Sequence, residues 1–205
     1  MTTATTSPPA APLMLDWLLP EFDAIIVEHR VIEGGPDAVY RAVATIDMVE
    51  IPNAYLAVRA LFAARGAAER LVSALHGRPT PTEEAAGPMR LGDMPEQGEW
   101  VKLAEEEPRE LAFGAIGRFW GGETAWKTID AHEFVDIDDP GFAKIACSVS
   151  LRPYGTARTL VSYEARTQAL DSDSRAHFLR YWRVVRPGVA IVMRAFLAAV
   201  AKEVR

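Results

Sequence analysis

The chain has 205 residues, is 49% hydrophobic and 24% charged, and carries a formal net charge of −6. That is the composition of an ordinary globular protein of about one domain, and its acidic balance excludes the concentrated basic surface that a general nucleic-acid binder needs. The single cysteine, Cys147, excludes an internal disulfide framework and a cluster of metal-ligating thiols.

In chain order, the first residues are Thr, Ser, Pro and Ala, a composition without the apolar content to order itself. Residues 1–20 are expected to be disordered or loosely docked, with 13–19 as a short apolar docking segment, and 21–205 to form one domain. The start has neither the positive region nor the long apolar core of a signal peptide, which points to a cytoplasmic protein. Residues 22–32 are rich in β-branched side chains and read as the first strand. Gly34-Gly35-Pro36 is a turn, and Pro36 suits the first position of a helix over 37–46 with Val39, Val43 and Ile46 as its buried stripe. A second helical stretch is predicted over 53–75, broken at Gly66. Residues 77–98 are dense in Pro, Gly and Glu and read as a long loop in which Leu91 and Met94 make one helical turn.

From residue 100 the apolar period shifts toward two. Residues 100–105, 110–117, 124–137, 142–152 and 156–169 read as strands joined by turns at Glu107-Pro108, Gly121-Gly122, Asp139-Pro140-Gly141 and Tyr154-Gly155. Short connections of this kind build an antiparallel meander. Residues 171–205 then form one long helix: Phe178, Trp182, Val185, Val189, Val192, Phe196 and Val200 recur at helical steps, and Asp171 or a neighbouring serine caps its start. Its most apolar run, 189–200, is interrupted by Arg194 and is about half the ~20 residues that a membrane span requires. Arg175, Arg180, Arg183, Arg186 and Arg194 read as its solvated faces. The fold class is therefore α+β, a curved antiparallel sheet gripping a long C-terminal helix, with extra helices between the first and second strands. Such a sheet leaves a cavity where its inner side chains do not fill the space.

The segment HRVIEGGPDAVYRAV at 29–43, the strand pair ELAFGAIGRFW at 110–120, PGFAKIACSVSLRP at 140–153 and the run TLVSYEARTQALDSDSRAHFLRYWRVVRPG at 159–188 together resemble the START-like (SRPBCC) superfamily of helix-grip proteins, in an uncharacterised bacterial branch. The resemblance spans about 22–204. It implies a helix-grip fold with a hydrophobic ligand, such as a lipid, fatty acyl or polyketide-like compound, between sheet and helix. It implies either passive binding or a polyketide cyclase-type activity without a cofactor.

The residues offer several candidates. Arg118, beside Phe119 and Trp120 at a strand end, is suited to clamp the carboxylate of an apolar ligand on which Trp120 stacks, or is a surface arginine beside a core tryptophan. Glu164 and Arg166 share one face of the last strand. Pointing inward, they would be an interior acid–base pair and Glu164 a catalytic candidate; pointing outward, a solvated pair. His132, beside Asp130 and Glu133, is a second catalytic candidate or a surface histidine. Phe178, Tyr181 and Trp182 are core or cavity-lining aromatics of the long helix. Cys147 reads as a small buried residue, and the run Glu105-Glu106-Glu107 as a solvated hairpin tip. The histidines are too scattered for a metal site, and no cofactor is expected. A homodimer built on the 77–98 loop or the N-terminal apolar segment is a third reading.

Overall fold

The computed structural model describes residues 11–48, 89–120 and 124–204. The helices expected over 53–75, most of the 77–98 loop, the Gly121-Gly122 turn and His76 lie outside those residues.

Six strands make one antiparallel sheet. Its order is β1 (Ala24–Glu33), β8 (Arg158–Ala169), β7 (Ala143–Pro153), β4 (Glu110–Arg118), β3 (Trp100–Glu106), with β5 (Ala125–Trp126) pairing on the end of β4. β2 (Gln97–Gly98) and β6 (Ile129–Asp130) form a separate two-stranded ladder. The fold is α+β: α2 (Pro36–Thr45) and the C-terminal α3 (Ser172–Glu203) cover one face of the sheet.

Strand alternation sorts the side chains onto two faces. On the inner face Ile26, Leu111, Phe113, Cys147, Val149, Val161 and Tyr163 meet Met193, Phe196, Leu197 and Val200 of α3 and Val39, Tyr40 and Val43 of α2. On the outer face Val101, Ala112, Ile116 and Ala146 pack under Ile129, Phe134 and a short N-terminal helix, α1 (Leu15–Leu18). Both faces of the central strands are therefore core, and β4 is buried along all but its last residue. Residues 14–19, read from sequence as part of a loosely docked stretch, are packed into the outer layer: Met14, Leu15, Leu18 and Leu19 are all buried.

The stretch 124–137 is not one strand. It consists of β5, β6 and a 3-10 turn, Ala131–Glu133. Its apolar residues Ile129 and Phe134 mimic a strand pattern because they are pegs for the outer face. Lys144 fastens the turn that follows: its Nζ donates to Val135 O over 2.7 Å, and burial pushes its ammonium below the ordinary lysine range.

α3 is long and apolar enough, by length and composition, to cross a membrane, which the reading of 189–200 alone did not register. Here it is the core helix. Phe178, Met193, Phe196, Leu197 and Val200 are buried against the sheet, and Arg194 reaches Glu28 of β1 over 2.8 Å. Asp171 caps it by accepting from the amides of Asp173 and Ser174.

Candidate functional site

A line of aromatic rings runs along the inner face. Tyr163 stacks edge-on to Phe196 at 5.3 Å, Phe113 lies 6.2 Å from Tyr163, and Trp100 lies 6.1 Å from Phe113. Trp100 then meets Trp126 at 5.5 Å, Trp126 meets Phe119 at 5.8 Å, and Phe119 meets Phe178 and Tyr181 of α3 at 5.9 and 6.0 Å. Burial divides this line. Beneath the C-terminal half of α3, Phe113, Tyr163 and Phe196 are buried and pack on one another. Cys147 sits there beside the Tyr163 hydroxyl, and burial pushes its thiol up to about 12, so it is inert. Beside the N-terminal half, Trp100, Phe119, Trp126, Tyr181 and Trp182 are only half-buried. Trp182 packs against both the main core and the smaller cluster around Phe178 and Trp120.

Gly117 makes room for this wall. A Cβ there would run into the Trp126 ring, so only glycine lets that ring lie against β4.

The inner face of β3 ends in polar groups. An irregularity in the β3–β4 register between Lys102 and Ala104 inserts one residue. It shifts the alternation so that Glu105, although exposed, shares a face with Trp100 and Lys102. Glu105 accepts a hydrogen bond from the Tyr40 hydroxyl and one from Lys102 Nζ at 2.7 Å, while Lys102 also donates to Gly92 O at 3.2 Å. Burial raises the Glu105 carboxyl, but its bonds to Lys102 and Tyr40 outweigh that and leave it below the usual carboxylate value. Burial, and then the Glu105 bond, push the Tyr40 phenol well up, so it stays protonated as a donor. The acidic run Glu105-Glu106-Glu107 was read as a solvated tip, and all three residues are exposed; what that reading did not include is the bonding of Glu105 to Tyr40 and Lys102.

The candidates from sequence divide sharply. Phe178, Tyr181 and Trp182 belong to the aromatic wall, with Trp120 buried behind Phe119 and Phe178. Arg118 ends β4 with its side chain exposed. His132 is exposed on the 3-10 turn, its Nδ1 against Asp130 Oδ1, on the outer side of the sheet. Glu164 and Arg166 are neither in the sheet–helix interior nor in solvent. They lie on the outer face, sealed under α1, where Arg166 Nε donates to Glu164 Oε1 at 2.6 Å.

That outer pair is a clamp. Arg166 donates through Nη1 to the carbonyls of Leu15 and Leu19 and through Nη2 to Asp16 Oδ1. At the other end of the turn both oxygens of the fully buried Glu110 accept from the Met14 amide at 3.1 Å. A carboxyl acceptor at the amide end and a cation at the carbonyl end match the polarity of a helical turn, and burial raises the Glu110 carboxyl above its ordinary value. The clamp closes the outer face and leaves its charged residues with a structural task.

Two surface concavities lie outside the interior. One, of about 650 Å³, is an open cleft beside the start of α3, bordered by Phe22, Asp23, Gln168, Asp171, Arg175 and Leu179. The Arg175–Asp23 ion pair, 2.6 Å, joins two of its borders. The other, of about 330 Å³, lies between Leu13, Pro36, Pro108 and the end of β7. Among the described residues no three His, Cys, Asp or Glu side chains are grouped to hold a metal ion.

No protein-family model and no curated protein matches the chain. Solved structures do. A hypothetical protein from Helicobacter pylori aligns over 98% of this chain and 100% of its own at 10% identity and a TM-score of 0.45. Norcoclaurine synthase from Thalictrum flavum aligns over 87% and 91% at 8% identity and 0.41. A Streptomyces aromatase/cyclase aligns over 89% and 96% at 10% identity and 0.33. Likeness at this level carries no chemistry across, and the site stands on its own geometry.

Proposed function

We propose that the protein binds a hydrophobic small molecule, of lipid, fatty acyl or polyketide-like character, between the sheet and the N-terminal half of α3, and that it does so in the cytoplasm. The observation that carries this reading is the set of five half-buried aromatics, Trp100, Phe119, Trp126, Tyr181 and Trp182, gathered where β3, β4, β5 and α3 meet. Flat apolar rings left half in water gain free energy from any apolar guest that covers them. A pocket of this type takes its affinity from apolar walls and its orientation from a few polar groups. Lys102, two residues from Trp100 on the same face of β3, is a candidate for that role.

The test uses an environment-sensitive aromatic probe and native mass spectrometry of the purified protein. Saturable probe binding that quenches tryptophan emission, weakened about tenfold or more by Trp182→Ala, supports the reading. No binding of any apolar probe, or binding indifferent to Trp182→Ala and Phe119→Ala, sinks it.

One observation favours a second reading, a cofactor-independent cyclase or aromatase. Glu105, exposed at the end of β3, is a carboxylate held beside a buried phenol donor, Tyr40, and an ammonium, Lys102. Such a set can take a proton from one carbon and stabilise the enolate oxygen that results. Under this reading Glu105→Gln abolishes turnover of a poly-β-keto model substrate while leaving probe binding intact. Unchanged turnover in that variant rejects it.

A further inference from the structure

The strand β1 is the edge of the sheet. It pairs with β8 on one side, and among the described residues no strand pairs with its other side. It is ten residues long, and in its centre His29, Arg30 and Val31 are exposed. A long edge of open amide and carbonyl groups invites another strand unless something forbids it.

The open groups can be identified. Tyr154 N–H donates to Arg158 O, and Leu170 N–H to Phe142 O, so the even residues of β8 bond toward β7 and its odd residues toward β1. In the β1–β8 register, odd residues of β8 face even residues of β1, and Gly34 N–H donating to Ala157 O extends that ladder by one more pair. The backbone groups of Ile25, Val27, His29, Val31 and Glu33 therefore point at the free edge.

Around His29 the strand reads Ile26, Val27, Glu28, His29, Arg30, Val31, Ile32. This is a palindrome in which glutamate answers arginine. We propose that β1 is a self-recognition edge, pairing antiparallel with the β1 of a second copy about a two-fold axis at His29. In that register Val27 faces Val31, Ile26 faces Ile32 and Glu28 faces Arg30, on both sides of the axis. Odd residues meet odd residues, so every outward amide and carbonyl from 25 to 33 finds a partner. A slip that keeps this parity, by two residues either way, sets Glu28 against Glu28 or Arg30 against Arg30. The charges that would repel a stray strand thus select one register of one partner.

The side chains are available. Arg30 has no ion-pair partner in its own chain among the described residues. Glu28, its side chain 17% exposed, is held by Arg194 through Oε2, and among the described residues its Oε1 makes no hydrogen bond. Val31, 39% exposed, would be covered by Val27 of the other copy, and the apolar surface continues on the same side of the sheet into Ile25 and Trp17, 39% and 54% exposed.

The experiment is sedimentation velocity over a concentration series of the full chain, with circular dichroism to confirm folding of each variant. The wild type gives a reversible dimer of twice the 22.5 kDa chain. Arg30→Glu and Glu28→Arg each place like charges across the axis and weaken the dimer roughly tenfold or more, since each change acts at two symmetric cross-strand pairs. Mixed together they form a heterodimer, because the two glutamates of one chain then face the two arginines of the other. His29→Pro removes an outward amide that β8 does not use, so it blocks pairing without costing the monomer a ladder bond. A wild type that stays monomeric throughout, a dimer indifferent to Arg30→Glu and His29→Pro, or a folded mixture that fails to associate each overturns the proposal.

Discussion

Arg166 Nε lies 2.6 Å from Glu164 Oε1, two residues away on the same strand, and the pair is sealed beneath a helical turn about 150 positions earlier in the chain. Removing one partner of a buried pair leaves the other charge uncompensated, at a cost of about 3–5 kcal/mol. Arg166→Met should therefore lower urea-unfolding stability by about 3 kcal/mol and expose residues 12–20 to limited proteolysis. The double variant Glu164→Gln/Arg166→Met should cost less than Arg166→Met alone. A double variant as damaged as the sum of the singles would contradict this account.

The glycines of β4 make a graded expectation. At Gly117 a Cβ meets the ring of Trp126, whereas at Gly114 it meets the backbone oxygen of Ile145 at 2.7 Å. A ring can swing aside and a central strand cannot. Gly117→Ala should cost about 1–3 kcal/mol with a marked change in tryptophan emission. Gly114→Ala should cost more, with little spectral change. Equal losses and equal spectra would count against the packing described.

The sheet itself was legible in the chain. Period-two runs located β3, β4, β7 and β8, and Pro36 and Asp171 marked the starts of their helices, because alternation and capping are local rules. What escaped depended on contacts distant in sequence. The parity of Glu164 and Arg166 was readable, but the side they face was not, since nothing local announces that residues 14–19 turn the outer face into a second core. Glu105 is exposed as its run suggested, but its bond to Tyr40, 65 residues earlier in the chain, could not be read locally. The apolar residues of 124–137 imitate a strand because Ile129 and Phe134 serve as pegs on a sheet built by others.

Acid should loosen the start of α3. Hydrogen bonds from the Ser174 hydroxyl and amide, and then from the Gly141 amide, hold the Asp171 carboxyl down at about 2, against an ordinary value of 3.8. A carboxyl depressed in the folded state stabilises fully above its unfolded value, and that contribution is lost as pH falls toward the folded one. Asp171→Asn keeps an N-cap oxygen but no longer titrates. Thermal melts of this variant should show a flatter loss of stability between pH 3.8 and about 2 than the wild type. Identical profiles would remove Asp171 from the acid response.

Tyr40 ties α2 to β3 through Glu105. Tyr40→Phe removes one hydrogen bond, at about 1 kcal/mol, and releases one of the two contacts that hold the Glu105 carboxyl low. Infrared titration of the carboxylate band should place Glu105 higher in this variant than in the wild type. A Glu105 that titrates unchanged would show that Lys102 alone governs it.

Along β8 the side chains take turns between two different neighbourhoods. Tyr163 answers to the end of the chain and Glu164 to its beginning, although they are consecutive residues. Distance along the sequence is thus a poor guide to which changes interact. Substitutions at Tyr163 and Glu164 should add with little coupling, while Asp16 and Arg166, 150 positions apart in the chain, should act as one unit in a thermodynamic cycle. The strand is a partition wall, and each terminus of the protein furnishes the room on its own side.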